Sequence, residues 1–269
     1  MASFSVVSNI ASSNAQAHLT GTQLGLTKAL NRLSSGFRIN TSGDDAAGLA
    51  VANAYRNDIA IVNQGIRNAN DSLSQLQIKD GALNNISTLL DRMATLATQA
   101  ANTDDTTTLT TLQNEFNQIR SEIDRESTVA DMETGNVSLD FSVFVSNDGA
   151  NGVVSGTLNA VDTTALAITA AAWTTSNDAA YSLELVDAAV TTLGAASGMI
   201  GQLQNRLQFG ISLATQTVVN NRAAESRIRD ANIAEESANM TRFNILSQSG
   251  IAALAQANQT SSSVLSLLR

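Results

Sequence analysis

VNQGIRNANDSLSQLQIKDGALNNISTLLDRMATLA (residues 62–97) sets apolar residues at alternating steps of four and three. They are Val62, Ile66, Ala69, Leu73, Leu76, Leu83, Leu90, Ala94 and Ala97, and only Asp80 and Ser87 break the stripe. That spacing keeps one face of an α-helix apolar over many turns. Ile86, Leu89, Met93 and Leu96 form a second stripe on an adjacent face, so the helix needs more than one packing partner. It runs to about residue 102, which at a rise of about 1.5 Å per residue makes it about 85 Å long.

Upstream, Leu19, Leu26 and Leu33 fall every seven residues, with Leu30 and Phe37 between and beyond them; Ile10, Ala17 and Leu24 form a second row. This predicts an amphipathic helix over about 4–35 that is marginal alone and needs a partner. Between the two helices lies LSSGFRINTSGDDAAGLAVA (33–52). Gly36 fits a left-handed C-cap, and Phe37 and Ile39 can anchor the connector by packing. Ser42 or Asp44 can cap the second helix, and Asp44 and Asp45 complement its dipole. Arg38 is free to pair with an acidic neighbour, within the chain or on a partner. Gly36, Arg38, Asn40, Ser42, Asp44 and Asp45 are thus read as a joint fixing the angle between two helices.

Downstream, TDDTTT (103–108) supplies caps and a turn, and Leu109, Leu112, Phe116, Ile119 and Ile123 give a shorter helix to about residue 126. The period then changes to two. Val137, Leu139, Phe141, Val143 and Val145 alternate with mostly polar residues, NDGANG (147–152) is a turn, and VVSGTL (153–158) is a return strand. The Thr- and Ala-rich remainder to about 177 has no period, although Ile168 and Trp173 could cover the hairpin. Helical spacing returns from about 179 to 229 through Val186, Ala189, Leu193, Ala196, Ile200, Leu203, Leu207, Ile211, Ala214 and Val218. Gly198 and Gly201 count against its being straight. A last helix, about 233–267, carries Met240, Phe243, Leu246, Leu254, Ala257, Val264 and Leu268 as apolar positions, with looser spacing.

The order short, long, medium, insert, long, short is nearly palindromic, so the chain folds back on itself. The expected fold is mainly α: a long antiparallel coiled-coil rod with paired terminal helices and a small β-hairpin insert. Three domains follow. Residues 1–43 and 230–269 make the terminal coiled coil with its connectors, 44–127 and 179–229 the rod, and 128–178 the β-containing surface insert.

Composition narrows the function. Net charge is −9, with no Asp or Glu before Asp44 or after Glu236. That argues against nucleic acid as a partner. There is no Cys and no Pro, which excludes disulfides and suits long helices. His18 is the only histidine, HExxH is absent, and GDDAAG lacks the ligands of a calcium loop. No catalytic, cofactor or metal residues are expected, and the chain reads as no enzyme. MASFSVVSNIASSNAQAHL lacks the basic and apolar regions of a secretory signal. No stretch approaches the ~20 apolar residues of a membrane-spanning helix.

NRLSSGFRINTSGDDAAGLAVAN (31–53), GIRNANDSLSQLQIKDGALNNI (65–86) and SRIRDANIAEESANMTRFNILSQSGIAALAQANQTSSSVLSLLR (226–269) together resemble bacterial flagellin, over roughly 3–130 and 180–269. The chain resembles a short member, with about fifty residues of variable insert. The resemblance implies an extracellular filament subunit for motility, exported by the flagellar type III system and polymerised at the distal tip. A flagellar export chaperone, the filament cap and a host Toll-like receptor are the implied partners, besides copies of itself. The paired termini would form the inner tube, making the joint a hinge between concentric tubes. Leu19, Leu26, Leu30, Leu33, Met240, Phe243, Leu246, Leu254, Leu265 and Leu268 would carry polymerisation. Arg92, Leu96 and Glu115 fall on the family's receptor-contact positions, while Ala94 and Thr95 depart from the charged pair often found there. Ser and Thr in 127–178 would be solvated, or O-glycosylated as the family often is. A hook–filament junction protein, or a secreted helical-bundle adhesin or effector, is the alternative; the LSLLR ending and AQAN element favour the main subunit.

Overall fold

The computed structural model describes residues 9–136, 139–147, 149–168 and 173–267. Among them are five α-helices and one two-stranded sheet: α1 (Ile10–Ser35), α2 (Ala46–Ala101), α3 (Thr106–Val129), β1 (Asp140–Phe144), β2 (Val153–Thr157), α4 (Ser176–Arg229) and α5 (Ile233–Leu267). The fold is mainly α with a small hairpin, as the two periodicities require. By contact the chain divides into two units, residues 58–219 and residues 1–57 with 220–269.

The unit of residues 58–219 holds nearly all the buried apolar side chains. On α2, Val62, Ala69, Leu76, Leu83, Leu90 and Ala97 are buried at strict seven-residue intervals. A second seam of the same period runs through Lys79, Ile86, Met93 and Ala100. Leu109, Phe116 and Ile123 of α3 and Val186, Leu193, Ile200, Leu207 and Ala214 of α4 repeat the interval and join one continuous core with α2. Helices α2 and α3 run antiparallel, linked by Lys79 to Ala130, Asn85 to Glu126 and Arg92 to Glu115. Asp105 starts α3 by accepting from the Thr107 and Thr108 amides at 3.4 and 3.0 Å.

Gly198 and Gly201 lie inside α4 without ending it, and a Cβ at either would meet open space. They face away from packed neighbours, so they cost the helix only their backbone entropy. By length and composition alone α4 also contains a stretch apolar enough to cross a membrane, which corrects the expectation from the sequence. Its buried positions from Ala179 to Leu207 are spaced by threes and fours, and the apolar ones belong to the core described above.

The hairpin pairs Asp140 with Thr157, Ser142 with Ser155 and Phe144 with Val153. Val143 and Val145 are buried and Phe141 and Leu139 pack against the same core, so the inward alternation holds from Leu139 onward. Val137, the first residue of the expected strand, lies outside the described residues. Gly65 lets the hairpin lie against α2: a Cβ there would stand 2.0 Å from the Val145 carbonyl oxygen. The segment without period is held by hydrogen bonds from its own amides. Val161 N–H donates to the Met132 carbonyl at 2.8 Å, and Thr163 N–H to the Asp124 carboxylate at 2.9 Å. Trp173 is buried beside Phe116, with ring centroids 4.9 Å apart, and its indole N–H donates to Ser182 Oγ at 2.8 Å. Ile168 and Trp173 are buried in the core, and the contacts of Trp173 are to α3 and α4 and not to the hairpin it was expected to cover.

Candidate functional site

Residues 1–57 with 220–269 carry the joint and the terminal helices. Asn9 opens α1 by accepting from the Ser12 amide at 3.0 Å. At the other end Gly36 takes the left-handed conformation, φ 75°, and its N–H closes onto the Arg32 carbonyl at 2.9 Å. Only glycine enters that region without strain. The chain then pairs briefly with the end of α4: Arg38 N–H donates to the Arg229 carbonyl at 2.6 Å, and Ala231 N–H to the Gly36 carbonyl at 2.9 Å. The Arg229 guanidinium stacks 4.0 Å over the Phe37 ring, and Ile39 is fully buried.

The polar residues of the joint have separate tasks. Asp44 does not cap α2. Its carboxylate accepts from the Asn40 and Thr41 amides at 3.3 and 3.1 Å and pairs with Lys28 at 3.0 Å. Lys28 first, then the Thr41 N–H, holds its pKa far below the ordinary carboxylate value. The cap of α2 is Asp45, which accepts from the Gly48 amide at 2.9 Å. Gly48 is the third helical residue, the N–H an N-cap side chain reaches best. Ser42, the other expected cap, is exposed. Within the chain and among the described residues, Arg38 forms no ion pair; its guanidinium donates to the Ile228 carbonyl at 2.9 Å. A cation there satisfies an orphan carbonyl in the last turn of α4.

Helices α1 and α5 run antiparallel. Asn9 donates to the Ala257 carbonyl at 3.0 Å, and Arg32 pairs with Glu236 at 2.9 Å. The Phe243 ring lies against Gly25, where a Cβ would stand 2.6 Å from it, and Leu19 lies against Gly250. Of the apolar residues singled out for polymerisation, Leu19, Leu26, Leu33, Met240, Phe243 and Leu254 are half-buried, and Leu30 and Leu246 are exposed. The Leu265 side chain and Leu268 lie outside what the structure describes. Ile10, Leu24, Ile245 and Ile251 are 56–69% exposed; the sequence reading placed Ile10 and Leu24 in a heptad row and passed over the other two. Among the described residues of α1, only Ala29 is fully buried.

Arg92 and Glu115 form an exposed ion pair between α2 and α3. Leu96, grouped with them from the sequence, is 1% exposed and belongs to the core. The residue that sequence reasoning missed is Lys79, 8% exposed, whose ammonium donates to the Ala130 and Asp131 carbonyls at 2.7 and 2.9 Å. Its signal was the second heptad seam, where a lysine stands seven residues before Ile86.

Residues 6–136 match the family model of the bacterial flagellin N-terminal helical region, and residues 183–268 that of the bacterial flagellin C-terminal helical region. A flagellin of Halalkalibacterium halodurans is 38% identical over 248 residues, covering 90% of this chain and 91% of the relative. Flagellin FlaB1 of Treponema pallidum is 33% identical over 292 residues, and a flagellin of Bacillus subtilis 33% over 302, each alignment covering 97% of this chain and 98% of the relative. The crystal structure of Bacillus cereus flagellin is similar at TM-score 0.47 and 29% identity, covering 59% of this chain and 94% of that one.

Proposed function

The chain belongs to the bacterial flagellin family, and from that premise we propose how its parts divide the work of a filament subunit. As a flagellin it is a structural protein, not an enzyme, and it polymerises with copies of itself into the flagellar filament. Residues 44–127 and 179–229 serve as the rod, 128–178 as its outward insert, and 1–43 with 230–269 as the pair that orders the inner tube.

One observation supports this division above the others. Helices α1 and α5 span 26 and 35 residues, yet Ile10, Leu24, Leu30, Ile245, Leu246 and Ile251 remain 46–69% exposed in the lone chain. Apolar surface of that extent is unfavourable in water and is covered by other subunits in an assembly. The unit of residues 58–219, by contrast, already buries a continuous apolar core of its own.

The finer expectations follow from the family reading. The filament lies outside the cell, and the subunit reaches it through the type III export channel, handed on by a chaperone and placed under the cap. A chain without cysteine is free of disulfides that would obstruct passage of the unfolded polymer. Arg92 and Glu115 offer an exposed charged pair to a Toll-like receptor, with Leu96 supporting them from the core.

Deleting residues 240–269 tests the division. The truncated chain should keep the thermal unfolding of residues 58–219, read by Trp173 fluorescence, and should form no filaments on seeding. Normal filaments from the truncated chain would overturn it.

A further inference from the structure

On α4, Arg206, Phe209 and Leu213 stand at i, i+3 and i+7, so they share one stripe of the helix. Phe209 is 76% exposed and Leu213 69% exposed, whereas Leu207 and Ala214 are buried. No acidic residue occurs from 188 to 224, where Arg206 and Arg222 are the only charges. The result is an apolar ridge on a basic stretch of helix.

A hollow of about 420 Å³ opens between α2, the end of α3 and β1. Leu76, Phe141 and Val143 are among its lining, and Ile78 and Val129, each 65% exposed, are its most exposed apolar residues. Asp131 and Asp140 also line it. The Lys79 ammonium is committed to two carbonyls, so two carboxylates face one cation and the hollow is net negative. Ridge and hollow share no residue and no element.

Resting on the filament reading above, we propose that the Phe209–Leu213 ridge of one copy seats in the Ile78–Val129 hollow of the next. Apolar surface meets apolar surface, and Arg206 approaches Asp131 and Asp140 with opposite charge. The two patches differ, so the contact is heterologous. Such a contact repeats without closing and generates a helical polymer, not a dimer.

The absence of cysteine makes the test direct. Chains carrying Ile78→Cys and chains carrying Phe209→Cys are mixed in equal amounts, polymerised and oxidised. A disulfide needs Cα atoms within about 7 Å. The mixed disulfide dimer should form in filaments, and be absent from the unpolymerised mixture and from filaments of either variant alone. Mixed filaments without that dimer overturn the proposal, as does Phe209→Cys bridging to itself, which would set ridge on ridge. Wild-type chain that never polymerises sinks the filament reading and the docking with it. If the cysteine variants do not assemble, the double variant Phe209→Ala/Leu213→Ala decides. Its unfolding midpoint should match wild type, because neither residue is in the core. Its critical concentration for polymerisation should rise about tenfold, the effect of about 1.4 kcal/mol on an equilibrium; an unchanged critical concentration overturns the proposal.

Discussion

The Lys79 ammonium donates to the Ala130 carbonyl oxygen at 2.7 Å, so a side chain of α2 closes the C-terminal end of α3. It also reaches the Asp131 carbonyl at 2.9 Å, where the backbone turns through φ 52°. Lys79→Met keeps the length of the side chain but removes the donor. The buried Ala130 carbonyl would then lack this partner, a loss of about 1–3 kcal/mol, and the part-buried Asp131 carbonyl would lose its donor as well. The urea midpoint read by Trp173 fluorescence should fall accordingly. A midpoint equal to wild type would mean that water or a shifted backbone satisfies both oxygens.

Burial holds the Lys79 pKa below its usual 10.5, with the Asp131 carboxylate opposing the shift. The unfolded chain therefore holds this proton more tightly than the folded one. Between the lowered value and 10.5 the unfolded state binds more protons, so this group's contribution to stability grows as pH rises and is lost as pH falls through the folded value. The stability difference between wild type and Lys79→Met should move in favour of wild type across that alkaline window. A difference that stays flat would show that the ammonium is not desolvated.

Asp44 gives the opposite end of the pH scale. Its carboxyl is held well below the ordinary 3.8 by Lys28 first and by the Thr41 N–H next. The folded state therefore favours the ionised form, and the stabilisation is present above the ordinary value and lost as pH falls below it. Acid should loosen the joint only below about pH 4, the ordinary carboxylate range. Asp44→Asn should remove that step, seen in amide exchange of residues 40–48 titrated downward. Exchange that accelerates equally in both proteins would separate Asp44 from the acid response.

The parts of this molecule that follow from period were legible in the sequence: the seams of α2, α3 and α4, the inward face of the hairpin, and the start of the last helix at 233. Those that depend on which distant backbone atom stands near a polar side chain were not. Asp44 and Asp45 are adjacent carboxylates with equal capping ability, and only the turn through Asn40 and Thr41, with Lys28 arriving from α1, assigns the cap to Asp45. Arg38 lacked any local acid, yet its partner is a carbonyl 190 positions away. Lys79 reads as a defect in an apolar seam, because its partners at 130 and 131 carry no mark in the sequence. The segment before Trp173 has no period because its order comes from side-chain and backbone hydrogen bonds, not from a repeating apolar face.

Glycines inside long helices should behave oppositely according to what stands beside them. Gly65→Ala would force a methyl against the Val145 carbonyl oxygen, 2.0 Å away, so backbone must move and the hairpin lifts from α2. Its unfolding midpoint should drop by more than that of any alanine change on an open helix face. Gly198→Ala and Gly201→Ala meet open space, and each should stabilise the lone chain by about 0.5–1 kcal/mol through lost unfolded-state entropy. If either instead impairs polymerisation while raising the monomer midpoint, that face of α4 is covered by a neighbouring subunit.

The Phe243 ring against Gly25 separates monomer from filament stability. In the lone chain Phe243 is only half-buried, so Phe243→Ala should cost about 0.8–1.5 kcal/mol there, half of a full burial. That loss falls in the terminal pair, outside the core of residues 58–219. The Trp173-detected midpoint of the monomer should therefore stay at the wild-type value. In the filament, neighbours that complete the burial raise the cost toward about 3–5 kcal/mol per subunit. The dissociation temperature of filaments, followed by light scattering, should fall steeply. Equal shifts in monomer and filament would place Phe243 in the folding of the single chain, and no shift in either would remove the α1–α5 seam from assembly.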